Sequence, residues 1–194
     1  GNSKLLNTMT YRVDKTYNYG NGSDMQIGFM MTDNYNNVID RGSMDASCVD
    51  GNFYLRMANR AMSPDVTEML GKNTELLGSF LDYPDTFNEN NPFSGAFQME
   101  AGDYIIQSKT NKNDKLHVRV YDRVYEKNEK MTTPAGTFNT TRVNFRFDCT
   151  KDGVTKTHKG IEWYAPGAGI VRSETYDGND NLENYTELYA LQDR

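Results

Sequence analysis

The chain has 194 residues, a formal charge of −6 and a pI near 5.0, with no basic run to neutralise phosphates, which argues against a nucleic-acid groove or an anionic-lipid surface. Its hydrophobic fraction is a low 37%, offset by 13 tyrosines and 9 phenylalanines, so the core is expected to be thin, as under sheets with one wet face. No stretch approaches the roughly 20 apolar residues of a membrane-spanning helix.

The first strand is expected at Thr8 to Val13, where Met9, Tyr11 and Val13 alternate with polar neighbours. Asn18 to Asp24 reads as a turn on its Asn-Gly step, and Met25 to Met31 returns with Met25, Ile27, Phe29 and Met31 on one face. Gly28, on the other face, marks a bulge or a close neighbour. Asp33 to Asn37 is again turn-like. Strand signals are weak over Val38 to Val49 and clear over Phe53 to Met57.

The period then changes. Ser63, Pro64 and Asp65 supply an N-cap, a first-turn proline and a charge suited to the helix dipole; Val66, Met69 and Leu70 share a face before Gly71. A second helical piece is expected at Leu76, Leu77, Phe80 and Leu81, ending before Pro84, with Tyr83 to Pro92 as loop.

From Gly95 the pattern is almost continuous strand. Tyr104 to Thr110 is one; in the next, Leu116, Val118, Val120 and Val124 alternate with polar and tyrosine positions. Val143, Phe145, Phe147 and Cys149 make the cleanest alternation in the chain. Lys151-Asp152-Gly153 turns it into Val154 to Tyr164, and Ile170 to Tyr176 leads through Asp177 to Asn181 into a final strand, Asn184 to Leu191. Turns this short imply antiparallel meanders, because parallel pairing needs long crossovers. No linker divides the chain and no repeat is evident, so residues 1–194 are expected to form a single β-rich domain.

Two corners stand out: Thr133-Pro134-Ala135-Gly136-Thr137-Phe138, and Glu162-Trp163-Tyr164-Ala165-Pro166-Gly167-Ala168-Gly169-Ile170-Val171-Arg172-Ser173-Glu174. Proline fixes one torsion and glycine supplies positive φ, so each turns the chain at a defined residue. These loops and the closing strand through Leu188 resemble the TapB-like exported bacterial proteins, a family without an established activity, over the C-terminal half only. The resemblance implies an exported or periplasmic β-rich protein, often lipid-anchored, forming an incomplete barrel around a helix. It carries over no catalytic residue. The chain begins at Gly1, so an upstream segment is expected to have been removed, by signal-peptide cleavage or at an expression boundary.

The chemistry-bearing residues are sparse. The two histidines and two cysteines lack zinc spacing. Asp177, Asn179 and Asn181 copy the start of a calcium loop, but Leu182 and Leu188 stand where glycine and glutamate are required, so a hairpin turn is expected. No nucleophile elbow or phosphate loop exists. Cys48 and Cys149 are expected to be unbridged, since packing beside Phe145 and Phe147 explains Cys149 without a partner. Asp122 interrupts an apolar face and Glu162 and Glu174 flank the only tryptophan, so paired carboxylates on a glycoside are one reading. A bulge turning Asp122 outward, or an arginine pairing with it, is the stronger one. Trp163, Tyr164, Tyr121 and Tyr125 form either a stacking platform or core and sheet cover, with Trp163 favoured as a core anchor.

The expected fold is therefore all-β and mainly antiparallel, a curved sheet or incomplete β-barrel wrapped around the short helical segment. That segment would plug the face of Leu116, Val118, Val120, Val143, Phe145 and Phe147. The expected function is a non-enzymatic, envelope-associated one, exported or periplasmic, taking an apolar or carbohydrate ligand or a protein partner in the concave face. Tyr121, Asp122, Glu162, Trp163 and Tyr164 are the candidate ligand-binding residues. No cofactor, metal or nucleic acid is expected, and membrane attachment would come through a removed N-terminal lipid anchor. The alternative is a glycoside hydrolase using carboxylates near Asp122 and Glu162.

Overall fold

The computed structural model describes residues 7–49, 52–56, 74–78, 80–84, 97–98 and 101–191, and every regular element among them is a strand. The first sheet holds β1 (Asn7–Tyr19), β2 (Gly22–Asp33), β3 (Val38–Val49), β4 (Asn52–Arg56) and β6 (Phe80–Pro84), side by side in that order. The second contains β5 (Thr74–Gly78), β7 (Phe97–Gln98), β8 (Gly102–Ser108), β9 (Lys115–Thr133), β10 (Gly136–Lys151), β11 (Val154–Ala165), β12 (Gly169–Tyr176) and β13 (Leu182–Glu187). Its order is β13-β12-β11-β10-β9-β8-β5, with β7 also on β9. Every pairing is antiparallel, as the short turns require.

The corners fall where proline and glycine set them. Pro134 and Ala135 separate β9 from β10, and Pro166 to Ala168 separate β11 from β12, with Gly167 and Gly169 at φ of 77° and 79°. Two further hairpins share one design. Asp33 accepts the backbone N–H of Tyr35 and Asn37 and the Asn37 side-chain amide, at 2.8, 2.9 and 3.0 Å. Asp177 does the same for Asn179, Asn181 and the Asn181 amide, at 2.8, 2.9 and 3.0 Å. The fourth residue of each loop, Asn36 or Asp180, takes a left-handed φ of 64° or 61°, which Asn and Asp tolerate best after glycine.

The second sheet carries a core on each face. On one, Tyr104, Ile106, Leu116, Val118, Val120 and Tyr164 are buried, with Phe145, Phe147, Cys149 and Ile170 against them. On the other, Ile161, Trp163, Ala165 and Val171 are buried among Met131, Phe138, Ala168, Tyr176 and Leu188. The second core exists because the sheet curls. In a flat sheet β9 and β12, three spacings apart, would lie ~14 Å from each other, yet their Cα atoms come within 8 Å. The hairpin tip folds over to meet the chain after β13: the Ala135 N–H donates to the Leu188 carbonyl at 3.3 Å and the Leu188 N–H to that of Val171 at 2.8 Å. The face bearing Trp163 is thus the concave one at this end. The sheet curves without closing into a barrel.

The expected helical plug is corrected. Leu76 and Leu77 lie in β5, in register with Ile106 and Ile105, and Phe80 and Leu81 lie in β6, opposite Arg56 and Leu55 of the other sheet. Leu77 is 47% exposed instead of packed on the β9–β10 face. The apolar run is short enough to suit either period, and a helix of this length gains little in water, so sheet pairing wins. Ser63 to Gly71, and most of the loop expected over Tyr83 to Pro92, lie outside the described residues.

Candidate functional site

Successive side chains of a strand point to opposite faces, and this divides the predicted site. Glu162, Trp163 and Tyr164 are consecutive on β11 and are 3%, 6% and 7% exposed. Tyr164 joins the first core and Glu162 shares its face, while Trp163 belongs to the concave side. Its indole N–H donates to Glu129 Oε1 at 2.7 Å, and the Arg142 guanidinium sits 5.6 Å from its ring centroid. Trp163 is a core anchor of the curl, not an open stacking platform.

Asp122 stands at a bulge. Tyr121 pairs with Arg146 and Val124 with Asn144, which leaves Asp122 and Arg123 together opposite Phe145. Asp122 takes a φ of 50° and is exposed, and the phase of β9 shifts so that Arg123, 1% exposed, follows Val120 inward. Asp122 and Glu162 are therefore separated by β10, one wet and one buried, and do not form a pair across a cleft. Tyr121 lies on the concave side's face, half-buried, with its hydroxyl donating to Asp148 at 3.2 Å and Arg119 5.7 Å from its ring centroid. Of the five predicted residues, this face holds Tyr121 and Trp163.

What the pattern did not single out is the charge arrangement across this face. One row runs Lys127, Arg142, Trp163, Arg172, Glu187 over five strands. Glu126 lies 3.0 Å from Arg142 Nε as an ion pair without hydrogen-bond alignment, and Lys127 is 3.0 Å from Glu129. Arg172 reaches Glu174 at 2.7 Å and Glu187 at 3.1 Å, and stacks 4.8 Å over Tyr185. Burial opposes the Glu129 charge, but the hydrogen bonds from Trp163 and Lys127 outweigh it and hold its carboxyl below the ordinary range. The hydrogen bond from Tyr176 to Glu174, at 2.5 Å, and then burial raise the Tyr176 phenol. Four residues away along β10, β11 and β12, a second row runs Tyr121, Arg146, Lys159, Tyr176. Alternation locates these residues on a face; only the bulges of β9 and the curl decide which face encloses them.

The arrangement offers aromatic rings and fixed charges. Among the described residues no group of three or more His, Cys, Asp or Glu side chains is placed to hold a metal ion. Cys48 and Cys149 sit on different sheets and are free.

The model of the DUF3108-like family matches residues 1–188, so the family likeness is not confined to the C-terminal half, and it is to this family and not to the TapB-like one expected from the two loops. A Bacteroides fragilis protein assigned as exported, with a YmcC-like fold, is 33% identical, covering 98% of this chain and 90% of its own, at a TM-score of 0.87. A Parabacteroides distasonis protein assigned as a lipoprotein is 29% identical, covering 97% and 89%, also at 0.87. No curated protein matches the chain. These neighbours place the chain among exported proteins of the cell envelope.

Proposed function

Since this chain belongs to the DUF3108-like family, and the solved proteins it is similar to are assigned as an exported protein and a lipoprotein, we propose that it serves in the envelope as a non-enzymatic binding protein. Its ligand is a carbohydrate held on the concave face of the curled sheet. The observation that carries this reading is the continuity of that face. At one end it is closed by the Trp163 core, and from there it extends as rows of tyrosine and charged side chains. Sugars are recognised by ring stacking combined with a few fixed polar groups. The same reading includes attachment through an N-terminal lipid anchor, in line with the relative assigned as a lipoprotein.

The sole tryptophan lies on this face, so its fluorescence reports occupancy. Titration with purified envelope oligosaccharides is expected to give a saturable change, with the sugars recovered intact. Time-dependent release of reducing ends would replace binding with hydrolysis. Absence of a response to every saccharide fraction, by fluorescence and calorimetry, would reduce the protein to a scaffold. Partition of the full-length precursor into the detergent phase after labelling with a fatty acid tests the anchor.

A further inference from the structure

Two pairs of like charges stand directly opposite each other on neighbouring strands of the concave face, an arrangement that normally destabilises a sheet. The first, Arg142 across from Lys127, is answered within the protein: Glu126 and Glu129 each lie 3.0 Å from one of the cations. The second, Arg146 across from Lys159, is answered on the lysine side only. Lys159 has an exposed partner, Asp180, at 3.0 Å. Arg146 is exposed and makes no hydrogen bond or ion pair among the described residues. Tyrosines bracket the pair in the same row, Tyr121 beside Arg146 and Tyr176 beside Lys159, whose ammonium lies 5.4 Å from the Tyr176 centroid.

We propose that Arg146 and Lys159, flanked by Tyr121 and Tyr176, form a site for the oxyanion of an acidic sugar. This rests on the carbohydrate-binding reading above and narrows its ligand to a sugar bearing a carboxylate or a phosphate. An oxyanion between the two cations supplies the countercharge that the first pair draws from glutamates, and guanidinium geometry favours two-point contact with such a group. The tyrosines supply apolar ring edges and faces for the pyranose. Tyr121 is held in place by Asp148, which also accepts from Thr157 at 2.6 Å. That carboxylate faces Arg119 in register and Asp103 faces it from β8, so Arg119 is countered, whereas Arg146 stands in register with Tyr121 and Lys159 and no carboxylate.

The test is calorimetric and NMR titration of the folded chain with glucuronate, glucose 6-phosphate and glucose, at low and high salt. Both acidic sugars are expected to bind at least ten times more tightly than glucose, and more weakly as salt rises. Arg146→Gln should weaken both at least tenfold, and Lys159→Gln should do the same, while Lys130→Gln, which removes an exposed charge on β9 away from this row, leaves them unchanged. Far-UV circular dichroism of each variant confirms that it is folded. A preference for one acidic sugar tells carboxylate from phosphate as the source. Equal binding by Arg146→Gln, or glucose binding as tightly as glucuronate, overturns this site while leaving carbohydrate binding intact. If neither these sugars nor neutral envelope oligosaccharides bind, the parent reading falls with it.

Discussion

The β1–β2–β3 meander and the β9–β10–β11 meander are made of similar parts. Their strands run 13, 12 and 12 residues in the first and 19, 16 and 12 in the second, antiparallel throughout. They end differently. β1 leaves Tyr11, Val13 and Tyr17 at 51%, 45% and 59% exposure, whereas the last six residues of β11 are buried whichever way they point. The difference is curvature. Two bulges in β9, around Asp122 and Glu126, bend the larger sheet until its concave face encloses a second core. Alternation makes a strand; bending decides whether one face or two are dry.

The comparison breaks most readily at the tryptophan. Trp163→Ala should cost about 3–5 kcal/mol, the range for emptying a large buried aromatic site, with loss of the Glu129 hydrogen bond inside that sum. Tyr17→Ala in the smaller sheet should cost about 0.5 kcal/mol or less. Urea unfolding followed by far-UV circular dichroism measures both, and values within 1 kcal/mol of each other would show that the two sheets are not differently buried.

Each sheet also carries one cysteine. Burial, and after it the charges of Asp148 and Glu183, push the Cys149 thiol up to about 11. A thiol with the free value of about 8.5 would be roughly a hundredfold more ionised at pH 8. In a Cys48→Ser background, Cys149 should therefore react with a disulfide reagent at least a hundred times more slowly in the folded protein than in urea. Fast labelling of the folded form would mean that this face is open.

A subtler contrast lies in two glycines. A Cβ at Gly160 would run into the ring of Phe145, its cross-strand partner, which is packed against the first core. A Cβ at Gly28 would meet only the end of the Asp14 side chain. Gly160→Ala should cost about 1–3 kcal/mol, as overpacking does, and Gly28→Ala about 0.5 kcal/mol because a flexible carboxylate can move. Equal costs would place Phe145 in looser packing than its contacts indicate.

Much of this was legible in the residues, and the failures have identifiable causes. Alternation located the long strands, and Pro134, Gly136, Pro166 and Gly167 located the corners, because torsional preference is local. Gly28 signalled a close neighbour, and that neighbour is Asp14, at a bulge in β1. Leu76 to Leu81 misled because leucines four apart suit a helix and leucines in a short run equally suit a strand; the choice is made by β8 and β4, far away in sequence. The five-residue site divided because Glu162, Trp163 and Tyr164 are adjacent, and adjacency in a strand separates side chains. Arg123 was invisible as a buried residue, since only the bulge at Asp122 turns it inward.

The smallest expected effect uses a loop design that the two sheets share. Asp33 and Asp177 hold identical loops, and both titrate below the ordinary value of 3.8, chiefly because the side-chain amides of Asn37 and Asn181 bond the ionised form. A carboxylate whose folded pKa is depressed adds stability that is present above its unfolded pKa and is lost as pH falls through the folded one. Both loops should therefore keep their hydrogen bonds down to about pH 4 and loosen together below it. The measurement is the amide shift and exchange protection of Asn37 and Asn181 between pH 5 and pH 2. Asp33→Asn and Asp177→Asn should remove the pH dependence from their own loop and leave the other untouched. Parallel curves would mean that the loop chemistry acts independently of the sheet it closes. If the Asn181 curve instead lies lower in pH, the nearby His158 is the reason, since its charge further favours ionised Asp177 and has no counterpart beside Asp33 among the described residues. Replacing His158 with Gln should then bring the two curves together, which isolates the contribution of the larger sheet from that of the loop itself.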